Sequence, residues 1–452
     1  QEIEEGKKSI QLEVTVRPTD YFGTLRDGAC FGFLFGMGGE DIDYRATALV
    51  QQAPAPGGGV LACLDSDGKL SLRDFSEPLP KSGYWTIPGG VGSRDLRELA
   101  AAKERFPLGN YAVRLKLHWK NNTLTLKAKA QGTGEEGAET SLVIHDFSRE
   151  KLHGGISLFS ARGTKESKNG FAFGGFRLTG ATPHPERAWG PILGVLYTTV
   201  TDQAGEHALR MTVQHPILHA EERPRLKLVV NENQTFYGEY QINGSFTTQF
   251  QTPFPRLTQD LPYALYLNHE KVYEGILRKE PGEQGTATLG LLSCLKNQVG
   301  PLAWNADGLW FPHNDVSRGI ETQDPDLLYF AGDQIYEGDI TGVDGRSERH
   351  QILDYHTKWQ RFLWSFGHLT KNRPTICIPD DHDVFHGNLW GAGGRRAKKT
   401  EKHSAQDSGG YKMSAKFVNA VHSTLVSHLP PSQVSPTIGQ GISTYTTSFS
   451  WG

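Results

Sequence analysis

The chain has 452 residues with 47 Lys and Arg and 50 Asp and Glu, so its formal net charge at pH 7 is −3. This balance excludes a protein that binds nucleic acid through positive charge, and no nucleic-acid partner is expected. No apolar window approaches the roughly 18 residues that span a bilayer, so a transmembrane segment is not expected either. The 4 cysteines are too few in so long a chain to form a disulfide scaffold.

Residues 1–182 are predicted to form a first domain of short β-strands. Alternation of apolar and polar residues with period two recurs at 12–16, 111–119 and 123–128. The turn Asn121-Asn122 joins the last two runs and predicts a β-hairpin. Residues 94–104 favour a helix. Short strands with Gly-rich turns are typical of a β-sandwich of jelly-roll type.

This hairpin and the sequence GGISLFSARG at 154–163 resemble the laminin-G and concanavalin-like domains. Many such domains bind glycans, so the resemblance implies a glycan or cell-surface ligand for residues 1–182. A purely structural or spacing domain is the alternative interpretation.

Residues 187–285 are predicted to form a second β domain, after a Pro-containing linker at 181–186. Its strand candidates are 193–200, 208–213, 226–230, 238–242 and 263–267. Their number and spacing indicate a sandwich of immunoglobulin or fibronectin type. No catalytic pattern occurs in this segment.

Residues 286–452 are predicted to form a third region in which strands alternate with helices, which is typical of an α/β domain. The strand candidates are the apolar runs 287–293, 327–331 and 375–378, and the helix candidates are 352–369 and 411–429. In the first helix the apolar residues recur at steps of three and four, so they form one stripe.

Each of these three strands is followed by side chains that can bind a metal ion. Cys294 follows the first, Asp333 and Tyr336 follow the second, and the sequence Asp-Asp-His-Asp at 380–383 follows the third. Each feature alone favours a plain turn or a small buried thiol. Their joint occurrence favours a metal site, because a cation offsets the repulsion between clustered carboxylates. Carboxylate, imidazole, thiolate and phenolate groups are all competent metal ligands.

Three motifs resemble the alkaline phosphatase D (PhoD-like) family, a branch of the metallophosphoesterases. They are LLSCLKN at 291–297, GDQIYE at 332–337 and IPDDHDV at 378–384. Further similar segments lie at 409–422, 428–436 and 440–452, so the resemblance covers about 290–452 and, more loosely, the preceding β domain.

The resemblance implies a centre with iron (Fe3+) and a divalent metal, calcium in the family. Asp333 would bridge the metals and act in catalysis, and Cys294 and Tyr336 would bind the iron. Asp381 and His382 stand where other metallophosphoesterases have the asparagine and histidine of a GNH motif. His382 would protonate the leaving group or orient the phosphate, and Asn388 would contact the substrate.

The expected function is therefore metal-dependent hydrolysis of phosphate monoesters or diesters, in which two metals about 3.5–4 Å apart activate water. The alternative is a carbohydrate- or surface-binding protein with a degenerate or incomplete phosphatase-like domain. The family takes further histidine ligands from a later GH-x-H-type segment that is absent before Gly452. Residues 286–452 are accordingly expected to be the N-terminal part of such a domain and to lack part of the site. The family resemblance also implies a periplasmic or secreted protein, although no signal peptide is present in this sequence.

Overall fold

A computed structural model describes most of the chain, and its described residues form two compact units. The described ranges are 9–19, 28–37, 57–76, 96–132, 137–161, 170–180, 190–219, 221–282, 285–298, 310–339, 342–345, 347–388, 391–399, 405 and 408–452. One unit lies within residues 1–188 and the other within residues 189–452. Among the helices so described, none has the length and apolar character needed to cross a membrane. The linker expected at 181–186 falls outside these ranges.

The first unit contains two antiparallel sheets of five strands each. In strand order, one sheet comprises Phe171–Thr179, Ser9–Pro18, Ala112–Lys120, Thr123–Gln131 and Glu139–Ile144. The other comprises Glu98–Ala101, Leu70–Asp74, Val60–Asp65, Cys30–Met37 and Gly155–Ala161. A 3-10 turn, Arg149–Leu152, precedes the last of these strands.

Within these sheets, apolar and polar residues that alternate in the sequence alternate between buried and more exposed positions. In Ser9–Pro18, the residues Ile10, Leu12, Val14 and Val16 are buried in the largest apolar cluster of the unit. The predicted hairpin is confirmed: Ala112–Lys120 pairs with Thr123–Gln131. Asn121 and Asn122 adopt φ of 50° and 56°, the left-handed conformation that a two-residue turn of type I′ requires.

The helix predicted at 94–104 is wrong, because Glu98–Ala101 is a strand paired with Leu70–Asp74. Glu98 Oε2 lies 2.7 Å from Lys69 Nζ and 3.1 Å from Arg73 Nη2, so ion pairs accompany the backbone pairing. Pairing with a neighbouring strand has overridden local helix propensity, which is a weak preference.

The second unit begins with two further antiparallel sheets. The five-stranded sheet has the order Glu239–Tyr240, Thr247–Pro253, His207–Gln214, Gly194–Asp202 and Phe449–Ser450. The four-stranded sheet has the order Gln234–Tyr237, Leu226–Val230, Leu261–Leu267 and Glu270–Leu277. The strands predicted in this segment are confirmed, with bounds shifted by a few residues.

The other described elements of the second unit include a parallel three-stranded sheet and three α-helices. The sheet has the order Leu289–Leu292, Leu327–Phe330 and Thr375–Cys377. The helices are α1 (Asn314–Gln323), α2 (Glu348–Thr370) and α3 (Ala415–Leu425). The short elements are the 3-10 turns His382–Val384, Ala392–Gly394 and Gly439–Gly441 and the paired strands Thr437–Ile438 and Ile442–Ser443. Helices α2 and α3 were predicted, and α1 was not.

The apolar stripe predicted for α2 is confirmed. Its six residues are all buried: Ile352, Tyr355, Trp359, Phe362, Phe366 and Leu369. Phe330, from the central parallel strand, lies 5.0 Å from Phe362 and 5.7 Å from Phe366 between ring centroids. The helix thereby packs on the strand that leads to Asp333, which fixes the end of that strand.

Buried polar contacts join the β-sandwich of the second unit to its helices. Trp359 Nε1 of α2 donates to Gln214 Oε1 at 3.1 Å, and the Tyr263 hydroxyl donates to the Lys371 carbonyl at 3.0 Å. The sandwich and the α/β region therefore fold against each other within one unit. The division into domains 1–182, 187–285 and 286–452 stays a prediction.

Candidate metal centre

The candidate site lies where the three parallel strands end. Because Leu327–Phe330 is the central strand, the loop after it lies between the loops of its two neighbours. Cys294 N donates to the Gly332 carbonyl at 3.3 Å and Leu295 N donates to the Asp333 carbonyl at 2.9 Å. A Cβ at Gly332 would lie 2.4 Å from Asp380 Cβ, so only glycine allows the third loop to approach this closely.

Asp333 is the centre of this arrangement. Its φ of 57° is unusual for a residue other than glycine, and its side chain is buried. The Tyr336 hydroxyl donates to Asp333 Oδ2 at 2.9 Å, and Cys294 Sγ lies 3.7 Å from the same oxygen. Asp333 Oδ1 is buried and has no hydrogen-bond partner among the described residues. Burial raises the pKa of Asp333, and the bond from Tyr336 opposes that shift.

Asp381 and His382 approach Asp333 from the third loop. One ligand atom from each of Asp333, Asp381 and His382 lies within 4.8 Å of the other two. Asp381 begins a 3-10 turn, and its Oδ1 accepts from His382 N at 2.9 Å. This local turn places the carboxylate and the imidazole on the same side of the loop, so the structure brings these three predicted site residues together.

Glu337 orients His382. The sequence places Glu337 near the site, but only the structure shows its contact with His382. His382 Nδ1 lies 2.7 Å from Glu337 Oε2, and the rings of His382 and Tyr336 lie 4.2 Å apart. Since a carboxylate can only accept, Nδ1 carries the hydrogen, which leaves Nε2 for a ligand or substrate. The bond to Glu337 raises the pKa of His382.

Asp383 fixes the backbone of the site, a role that the sequence did not indicate. Its fully buried carboxylate accepts hydrogen bonds from Asp333 N at 2.8 Å, Asp380 N at 2.9 Å and Ile335 N at 3.2 Å. Burial raises the pKa of Asp383 to about 8, while these three amides lower it. One side chain thus connects the loop that carries Asp333 to the loop that carries Asp381 and His382.

The remaining predicted site residues occupy different positions around this centre. Tyr336 and Cys294 both contact Asp333, but only through Oδ2, and Cys294 is exposed. Lys296 Nζ lies 5.4 Å from the centroid of the Tyr336 ring, which places a cation beside that phenol. Asn388 is exposed, and its assignment as a substrate contact stays a prediction.

These residues fit a metal ion by the chemistry of their donor atoms. Carboxylate, imidazole, phenol and thiol groups lie around the Asp333 carboxylate, whose buried Oδ1 has no hydrogen-bond partner among the described residues. Tyr336 and Cys294 contact Oδ2 of Asp333, and ligand atoms of Asp381 and His382 lie within 4.8 Å of a carboxylate oxygen of Asp333. His428 is not part of this set, because it is buried with Nε2 2.8 Å from the Thr375 carbonyl.

No protein-family model and no curated protein matches the chain. Among solved structures, PhoD is similar with a TM-score of 0.37 and 12% identity, over 58% of this chain and 50% of PhoD. A purple acid phosphatase from yellow lupin (Lupinus luteus) seeds has a TM-score of 0.35 and 10% identity, over 96% of this chain and 61% of its own. The chain therefore spans only about half to three fifths of the length of these two phosphatases. TM-scores this low do not establish a shared fold, so the function proposed below rests on the site geometry.

Proposed function

We propose that this protein hydrolyses phosphate esters at a metal centre held by Asp333, Asp381, Cys294 and Tyr336, with His382 beside it as the general acid. The observation that carries the proposal is the Asp333 carboxylate. Its Oδ1 is buried without a described hydrogen-bond partner, and one of its oxygens lies within 4.8 Å of ligand atoms of Asp381 and His382. Leaving a buried acceptor unsatisfied costs about 1–3 kcal/mol. A cation bound to this oxygen would remove that cost.

The charge distribution supports the same proposal. Asp333, Asp380 and Asp381 repel one another, and each of the latter two raises the pKa of Asp333. Such a cluster is stable near neutral pH when a multivalent cation neutralises it. We propose iron as Fe3+ and calcium as the divalent ion, because phenolate and thiolate ligands from Tyr336 and Cys294 would offset a third positive charge.

Metal ions at this position would neutralise the phosphoryl oxygens and lower the pKa of a water nucleophile. The protein's own side chains would supply the proton for the leaving group and position the substrate. Nε2 of His382 faces away from Glu337 and would carry the proton that the leaving alkoxide requires. Glu337 would orient the imidazole and stabilise its charged form, and Asn388 would donate to a phosphate oxygen.

Both monoesters and diesters are candidate substrates, and the proposed location is outside the cytoplasm. The first unit, with its two five-stranded antiparallel sheets, is proposed to be a jelly-roll or laminin-G-like module for a glycan or surface ligand. The sandwich of the second unit is proposed to be of immunoglobulin or fibronectin type.

The test is hydrolysis of p-nitrophenyl phosphate and bis(p-nitrophenyl) phosphate by the purified protein, with its metal content measured by mass spectrometry. Chelation should abolish hydrolysis, and iron with calcium should restore it. His382→Asn should remove most activity while the metal content changes little. His269→Asn, at an exposed histidine in a turn with φ of 72°, is the matched control and should be fully active. Hydrolysis that survives both chelation and His382→Asn would contradict the proposal.

A further inference from the structure

A cavity of about 540 Å³ lies in the second unit, between the edge of the five-stranded sheet and α3. Its size falls in the range of about 300–1,000 Å³ that small-molecule sites occupy. None of the residues that line the proposed metal centre lines this cavity. Its chemistry can therefore be considered separately from that of the proposed phosphatase.

Amide side chains form the wall of this cavity on the sheet side. Gln249 and Gln251 are two residues apart on the strand Thr247–Pro253, so their side chains point to the same face. Gln241 follows the neighbouring strand, and its backbone N donates to the Thr247 carbonyl at 2.9 Å. Each amide offers both hydrogen-bond donors and acceptors, which is what a ligand with many hydroxyl groups needs.

The helix side presents a matching polar face. Asn419 lies three residues before His422 and four before Ser423, so both share a side of α3 with Asn419. The Ser423 hydroxyl accepts from Asn243 Nδ2 at 3.0 Å and from Gln249 Nε2 at 3.4 Å. These bonds join the helix to the sheet across the cavity and hold its polar groups in a defined arrangement.

The described lining of the cavity contains no Asp, Glu, Lys or Arg. His422 is buried, its Nδ1 lies 2.9 Å from Ser443 Oγ, and burial lowers its pKa to about 4, so the imidazole is neutral at pH 7. A phosphate, a carboxylate or an ammonium group would find no opposite charge here and would lose its hydration. The lining therefore favours an uncharged ligand.

Apolar surface is interspersed with these polar groups. Val426, Leu429, Pro430 and Pro431 line the cavity together with Tyr445. The Tyr445 ring lies 5.0 Å from that of His422, and its hydroxyl is 3.5 Å from the Pro379 carbonyl, which fixes its position. A ligand that suits both kinds of surface has hydroxyl groups around its edge and C–H groups on its faces.

We propose that this cavity binds an uncharged saccharide. Sugar rings combine a polar edge with apolar faces and carry no charge, which matches the amides, the hydroxyls and the proline and tyrosine surface. This inference does not depend on the proposed phosphatase activity, since the two sites share no lining residue.

The test is binding of the full chain to an array of neutral and acidic glycans, followed by calorimetry with the strongest neutral binder. The array would include maltotriose, cellotriose, N,N′-diacetylchitobiose and mannotriose as neutral probes, and sialyllactose and sulfated lactose as acidic probes. The double variant Gln241→Leu/Gln251→Leu should bind the neutral glycan at least about tenfold more weakly, because each lost hydrogen bond contributes to affinity. Gln234→Leu, at an exposed glutamine of the other sheet, should bind as the wild type does.

Gln251 is exposed and Gln241 is half-buried at the cavity rim, so thermal unfolding should be unchanged in the double variant. Asp333→Asn should retain full glycan binding. Four results would overturn the proposal: no neutral glycan bound at millimolar concentration, preference for acidic glycans, unchanged binding in the double variant, or loss of binding in Asp333→Asn.

Discussion

The two units are stabilised by different kinds of interior. In the first unit the buried polar residues among those described are few: Asp65, Ser71, Arg73 and Thr140. In the second unit the buried residues include Asp333 and Asp383 of the candidate site and, beyond it, Asp339, His356, Lys358 and Arg361. Apolar burial alone is insensitive to pH and metals, whereas buried ionisable groups respond to both. The described part of the second unit therefore has the interior whose stability depends more on pH and on bound ions.

The largest expected effect comes from Asp333→Asn. Loss of one charged ligand should remove bound metal and lower phosphate ester hydrolysis by at least about 100-fold, because metals supply several kcal/mol to the transition state. Metal content and initial rates measure this. Asp146→Asn, an exposed site in the first unit with φ of 55°, is the control. If Asp333→Asn and Asp146→Asn hydrolysed phosphate esters at equal rates, the proposed active site in the second unit would be refuted.

Acid should destabilise the second unit before the first. The pKa of each of five buried histidines is lowered to about 4 by burial: His215, His313, His356, His422 and His428. Above pH 6.5 these imidazoles are neutral in both the folded and the unfolded state, so their protonation does not change the free energy of unfolding. Between pH 6.5 and pH 4 the unfolded chain binds protons that the folded chain does not, so stability falls as pH falls, by up to about 3 kcal/mol per histidine.

None of the first unit's described histidines is buried, so the described part of that unit lacks this source of acid sensitivity. Denaturant unfolding at pH 7 and pH 5, followed by a hydrogen-exchange pulse at one common pH, resolves the two units by mass spectrometry. If the first unit unfolded before the second on acidification, the prediction that buried histidines make the second unit more sensitive to acid would be wrong.

A pair of buried aspartates sharpens the comparison further. Asp65 of the first unit accepts from Asp67 N at 3.0 Å and Lys69 N at 2.9 Å, much as Asp383 accepts three backbone amides. Asp65→Asn and Asp383→Asn should each cost about 1–3 kcal/mol of stability. Only Asp383→Asn should also lower the catalytic rate, by about 10- to 100-fold, because it positions metal ligands. A normal rate in Asp383→Asn at a temperature where it is folded would refute that role.

The smallest expected effect is that of Glu337→Gln, which keeps an acceptor for His382 Nδ1 but removes its charge. We expect about a tenfold lower kcat with little change in KM or metal content. Glu239→Gln, on an exposed strand residue of the same unit, serves as the control. A change in KM alone would show that Glu337 acts on substrate binding.

Patterns set by nearby residues were predictable from sequence. The turn at Asn121 and Asn122, the alternation in Ser9–Pro18 and the stripe of α2 each depend on short-range periodicity, and each is confirmed. The strand at Glu98–Ala101 and helix α1 were missed, because strand pairing and packing on distant residues determine them. Local propensity contains no information about such partners.

The sequence predicted which strand ends carry the candidate site, but it did not predict the hydrogen bonds among their side chains and backbone groups. The sequence showed that Asp333 and the residues 380–383 follow apolar strands, and the parallel sheet places them together. It could not show that Asp383 turns inward to the amides while Asp381 stays with His382, since both are acids in one short turn. That distinction depends on backbone conformation at Gly332 and Asp333, which composition does not reveal.

The strand Phe449–Ser450 pairs with the far end of Gly194–Asp202, and Gln203 contacts Ser448 across 245 positions of sequence. The α/β region is thus enclosed in sequence between two strands of a single sheet. Closing so long a segment carries an entropic cost, so we expect this pairing to form late in folding. Residues 190–282 expressed alone would expose the unpaired edge of Gly194–Asp202 to self-association. The five-stranded sheet is therefore completed only where the chain returns from the α/β region.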